Sequence, residues 1–163
     1  MRINLKVYEE LSVKDELRFY PEHYPVMMNE PLKSHFIILE SPESIHKGLL
    51  SLVSFEPEDL IAQCAGVSLS FQTLHSLQYN EDHFLHDPFF SGYLLHSCDP
   101  NAELNMRTFT LHAIKSIKPF QLITIDYEKT EAQLYQGFHC SCGSENCKGW
   151  IEGYNYRKNQ VKT

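Results

Sequence analysis

Three thiols crowd one short polar loop near the end of the chain, and this crowding constrains the fold more than any other feature of the sequence. The run reads Cys140-Ser141-Cys142-Gly143-Ser144-Glu145-Asn146-Cys147. Such a loop is poor core material, whereas its glycine lets several sulfurs converge on one metal ion at about 2.3 Å. A tetrahedral site needs a fourth ligand, which would clamp the C-terminal end onto the body of the chain. Cys98, His96 and His139 are the candidates that the residues leave open. Cys64, alone among apolar neighbours, is then the spare thiol.

With 163 residues the chain has room for one domain around one core. Its five cysteines are few and odd in number, which suits a metal site in a reducing compartment better than a disulfide framework. No stretch approaches the roughly 20 apolar residues of a membrane span, and the Met1 region lacks a secretory apolar run. Cytosol or nucleus is the expected location. Fourteen Lys and Arg against 21 Asp and Glu give a net charge of −7, which argues against unaided nucleic-acid binding and favours a basic partner.

Short strands dominate the pattern. In Thr108–Ala113, Phe109, Leu111 and Ala113 alternate with polar residues, as one face of a half-buried strand requires. Other apolar or β-branched runs are 35–40, 49–53, 60–64, 67–71 and 121–125, with Pro57, Pro100 and Pro119 between runs. Residues 130–136 can form one or two helical turns, and 5–20 fits either state. The chain is mostly β.

Tyr93-Leu94-Leu95-His96-Ser97-Cys98-Asp99-Pro100-Asn101 resembles the Asn-His-Ser-Cys-x-Pro-Asn core of SET-domain protein-lysine methyltransferases. Gln121-Leu122-Ile123-Thr124-Ile125-Asp126-Tyr127 resembles the second signature of that family, and Phe138 to Ile151 is similar to its post-SET segment. The likeness runs from about Phe36 to Ile151 and implies a β-clip-like SET fold of small curved sheets with a C-terminal pseudoknot and a post-SET zinc loop. It divides the chain into an unassigned extension (1–35), a SET domain (36–135), a post-SET segment (136–153) and a tail (154–163).

The resemblance also implies the site. Cys98, Cys140, Cys142 and Cys147 would bind one structural zinc. Tyr127 takes the position of the active-site tyrosine. S-adenosylmethionine, leaving as S-adenosylhomocysteine, would be held by Lys47, Gly48, Leu49, Leu95, His96, Phe138 and Trp150, and Ile125, Cys64 and Leu104 would line the substrate channel. The partner is a lysine-containing protein, a basic histone-like tail being the electrostatically natural one. A free lysine has a pKa of about 10.4, so at pH 7 a deficit of about 3.4 units, or roughly 4.6 kcal/mol, must be offset by desolvating the amine beside a cationic sulfonium. His96 is assigned no proton transfer, and Asn101 orders the crossing loop.

The pattern departs from the family at three places. Leu95 stands where asparagine is usual, Cys64 where a tyrosine commonly bonds the target amine, and His46 at the first glycine of the opening motif. A hydroxyl from Tyr79 or Tyr93 is the expected compensation, and a silent SET-like module that binds a peptide or protein is the competing expectation. Ile125 replaces an aromatic residue that limits how many methyls fit, so more than one methyl is expected to be accommodated.

Overall fold

The computed structural model describes residues 17–40 and 47–160. His46 and most of the 5–20 segment lie outside them. The strands follow in order as β1 (Phe36–Glu40), β2 (Lys47–Ser51), β3 (Leu60–Gln63), β4 (Val67–Leu69), β5 (Ser76–Gln78) and β6 (Phe84–His86). They continue with β7 (Leu95–His96), β8 (Ala102–Asn105), β9 (Thr110–Ala113), β10 (Thr124–Ile125), β11 (Phe138–His139) and β12 (Trp150–Ile151). Among the described residues two short α-helices follow, α1 (Tyr127–Thr130) and α2 (Tyr154–Gln160).

These strands make small sheets rather than one large one. β1 pairs antiparallel with β2, β3-β9-β8 and β4-β6-β5 are three-stranded, β10 runs parallel to β7, and β11 pairs with β12. The mostly β expectation holds. The strand expected from Thr108 begins two residues later, because Phe109 sits in the left-handed region at φ 54°. Leu111 and Ala113 of β9 face the core as the alternation requires. β5, β6 and β8 gave no strand signal, being three or four residues long and rich in Ser, Gln, His and Asn.

The core gathers Phe36, Leu49, Phe90, Leu111, Ile117, Ile123 and Ile125, all almost fully buried. Residues upstream of β1 join it, with Tyr20 and Tyr24 stacked at 5.4 Å and both edge-on to Phe89. The Tyr20 hydroxyl donates to the Asp87 carboxylate at 3.0 Å. Asp87 also accepts the backbone N–H groups of Phe89, Phe90 and Ser91, so this buried carboxylate is satisfied.

The crossing of two distant segments positions the site. Thr124 lies opposite Leu95 and Ile125 opposite His96, and the Ser97 N–H continues the ladder to the Ile125 carbonyl at 3.0 Å. Asn101 fastens the crossing like an extra piece of strand. Its side chain accepts the Thr124 N–H at 2.9 Å and donates to the Leu122 carbonyl at 2.9 Å. The helix expected over 130–136 lies earlier, in α1, because Asp126 caps its first turn by accepting the Glu128 N–H at 3.1 Å.

Candidate active site

The four sulfurs of Cys98, Cys140, Cys142 and Cys147 lie within 4.8 Å of one another. A zinc tetrahedron with bonds of about 2.3 Å places its sulfurs roughly 3.8 Å apart. The Cys98 and Cys140 sulfurs are 3.8 Å apart, far beyond disulfide length, so the donor set fits a thiolate metal centre. His139, one of the alternatives for the fourth ligand, instead packs edge-on against Trp150.

Hydrogen bonds and burial act on the sulfurs in opposite directions. The Ser144 hydroxyl, 3.4 Å from Cys142 Sγ, holds that thiol down at about 5, while burial pushes Cys98 up and Cys140 up to about 12. The Lys148 N–H donates to Cys98 Sγ at 3.3 Å. Gly143 and Gly149, both at positive φ, make the turns that bring the loop back on itself.

Tyr127 sits beside this cluster. Its hydroxyl donates to the Leu94 carbonyl, and its ring packs with His96 at 5.3 Å and edge-on to Phe138 at 6.2 Å. Burial, with the Glu131 carboxyl a second cause, pushes the phenol well above its ordinary range, so it stays neutral and cannot serve as a base. His96 Nδ1 accepts the Tyr127 N–H at 3.2 Å, which puts the ring proton on Nε2, 3.4 Å from Cys98 Sγ. Burial lowers the pKa of His96 and keeps the imidazole neutral.

The remaining sequence-derived residues fall into groups. A side chain at Gly48 would strike Leu95 Cδ1 at 2.8 Å and Leu122 Cδ2 at 2.9 Å, so the Lys47–Leu49 strand lies directly against the crossing. Lys47 pairs with Glu40, and Leu49 is fully buried. Trp150 packs over Gly137 and donates to Glu152 at 2.7 Å. Ile125 and Leu104 line a cleft of about 740 Å³, along with Tyr79, Met106, Glu103 and Tyr154. Neither Tyr127 nor Cys64 is part of its lining; the Cys64 thiol is 2% exposed and interacts electrostatically with Tyr20 and Asp87.

Several residues at the site escaped the sequence. Glu128 and Lys148 read as ordinary surface charges, yet Glu128 is buried and takes both Lys148 at 3.1 Å and Arg157 at 2.8 Å. Glu131 is 2% exposed and accepts the Gln78 N–H at 2.8 Å. Its only signal was its place just beyond the tyrosine motif.

A model of the SET domain matches residues 9–128, about three quarters of the chain. The chain belongs to the SET-domain family. Within it, 64 residues are 39% identical to Methyltransferase flvH of Aspergillus flavus, covering 37% of this chain and 35% of that protein. A further 73-residue match, 38% identical, is to Histone-lysine N-methyltransferase Set2 of Drosophila melanogaster, covering 39% of this chain and 3% of that one. The chain therefore spans only a minor part of either relative. The SET fold is shared with KRYPTONITE in complex with DNA, an H3(1-15) peptide and SAH, at TM-score 0.54 and 18% identity over 69% of this chain and 28% of that one. No described helix is long and apolar enough to cross a membrane.

Proposed function

We propose that this SET-domain chain is an S-adenosylmethionine-dependent protein-lysine N-methyltransferase with a structural zinc in its four-cysteine cluster. The observation that carries this reading is the placement of Tyr127 at the start of α1, just past the strand threaded beside His96, with its N–H on the His96 ring and Cys98 of the cysteine cluster hydrogen-bonded to that same histidine. A relative named for histone-lysine methylation, and a structural neighbour holding a histone peptide with SAH, support the substrate class.

S-adenosylmethionine would supply the methyl, the amine lone pair forming the N–C bond as the S–C bond breaks and its electrons remain on sulfur as S-adenosylhomocysteine. The chain's own residues have three tasks. Lys47–Leu49, Leu95, His96, Phe138 and Trp150 would hold the cofactor around the crossing, where Gly48 permits close approach. Ile125 and Leu104 would line the lysine's path and strip its water, so that the neutral amine, its proton lost to solvent, is no longer scarce. Tyr127, neutral and fixed on the Leu94 carbonyl, would align the amine for in-line attack.

The cleft wall mixes Glu81, Glu103 and Asp126 with Arg107 and Lys129, so it is the chain's net charge of −7 that favours a basic tail as substrate. Tyr79 also lines the cleft, and its hydroxyl, now 2.7 Å from Ser68, would have to leave that partner to supply the hydroxyl that Cys64 cannot offer. Zinc-loaded protein incubated with methyl-labelled cofactor and an H3 tail peptide, then with a lysate, should label lysine. Tyr127→Phe should slow transfer roughly a hundredfold. Labelling of no lysine-rich protein, with no heat of cofactor binding by calorimetry, would leave the silent peptide-binding module in its place.

A further inference from the structure

Charged residues on both sides of Tyr127 reach two segments that follow it in the chain. Asp126 Oδ1 accepts the Glu128 N–H, and Asp126 Oδ2 takes Lys148 Nζ at 2.7 Å. Glu128, with a side chain only 4% exposed, takes Lys148 Nζ at 3.1 Å on one oxygen. Arg157 Nε reaches both of its oxygens, at 2.8 and 3.0 Å. The other end of the Arg157 fork donates to the carbonyls of Lys148 and Trp150. Two cations and two anions thus alternate across α1, the cysteine loop and α2.

Lys148 joins this network to the sulfurs. Its side chain serves Asp126 and Glu128 while its backbone N–H serves Cys98 Sγ at 3.3 Å. A buried carboxylate with two cationic partners holds its geometry strictly, because either partner's loss leaves charge stranded in a poorly solvated place. Arg157 binds the backbone on both sides of Gly149, at positive φ, and so fixes the turn that carries the Lys148 N–H toward the metal cluster.

We propose that Glu128 is a positioning residue, and that Arg157 of α2 works through it to hold the metal loop closed against the Tyr127 turn. Helix α2 is then part of the site's machinery, since the sulfurs depend on Arg157 as well as on the metal for their placement. The inference deepens the methyltransferase reading and rests on it for its catalytic consequence alone.

Metal release tests it directly. Zinc-loaded wild type, Arg157→Ala, Glu128→Gln and the double variant are mixed with a chromogenic chelator, and kcat and the cofactor KM are measured on metal-saturated protein. Each single variant should release zinc about tenfold faster, the usual scale for losing a group that orients a ligand, and should lower kcat even when zinc is saturating. The double variant should lose less than the sum of the two single losses, because Glu128 and Arg157 share one link. Unchanged release in folded single variants, or additive effects in the double, would overturn the proposal. Should Arg157→Ala not fold, Arg157→Lys keeps the charge, loses the fork and carries the same test. A wild type that holds zinc but transfers no methyl would refute the enzymatic reading, and the release rates would still decide this one.

Discussion

From Tyr20 to Ile125 the chain buries a continuous set of apolar side chains, whereas from Asp126 to Asn159 Ile151 is the only buried hydrophobic one among the described residues. The first region is held by hydrocarbon contact, which costs nothing to specify once the pattern is right. The second is held by sulfurs, ion pairs and a few aromatic edges, which work only when every partner is present. The difference teaches that the fold and the completed site are separable: the sheets can be intact while the wall that closes the site is loose.

The strongest way to break this contrast is to remove the zinc proposed for the cysteine cluster. Structural zinc in small domains contributes about 10–16 kcal/mol of folding free energy, far more than the apolar contacts of the C-terminal segment could replace. Trp150 is the chain's single tryptophan and lies in that segment, so its fluorescence reports the second region alone. Stripping zinc with a strong chelator, or Cys140→Ser, should shift the Trp150 emission to that of a solvated ring while the far-ultraviolet strand signal stays. Loss of the strand signal at the same chelator concentration would mean that the two regions are one cooperative unit.

A core truncation should act the opposite way. Leu111 is fully buried in the central strand of its sheet, and Leu111→Ala should cost about 3–5 kcal/mol. Its effect should appear equally in the strand signal and in Trp150, since the C-terminal segment has nothing to close against once the sheets melt. A drop seen by Trp150 alone would contradict the division.

The same division explains what could be read from the sequence. The β-rich class and the core were legible because alternation in 110–113 and apolar runs such as 121–125 state their burial locally. The sulfur cluster was legible for another reason: three thiols on one loop have few alternatives. Glu128, Lys148 and Arg157 stayed hidden, because a charged side chain carries no mark of burial until its partner, 20 residues or more away for Glu128, is placed in space. Cys64 shows the converse limit. The resemblance implied a place in the channel, yet Cys64 is buried in an environment it shares with Tyr20, upstream of the likeness, and Asp87, further along the chain.

Glu131 sits on the seam between the two regions and offers the subtlest test. Its carboxylate ties the Gln78 N–H at 2.8 Å and the Gln72 amide at 3.3 Å to the segment just beyond α1, and Ala132 returns a bond to the Gln78 side chain at 2.8 Å. Burial raises its pKa from the ordinary 4.5 to about 7, with these hydrogen bonds pulling the other way. The folded state therefore keeps a proton that the unfolded chain gives up. Stability contributed by this proton is full below pH 4.5 and is lost as pH rises to about 7, a change on the order of 3 kcal/mol. Glu131→Gln keeps an acceptor for the Gln78 N–H but cannot ionise. The stability difference between variant and wild type, from urea unfolding at pH 4.5 and pH 8, should move by that amount in the variant's favour as pH rises. A difference that stays flat would place the carboxylate in a polar or wet environment and make the seam softer than its burial implies, whereas the expected slope would mean that the two regions grip each other less tightly above neutrality than below it.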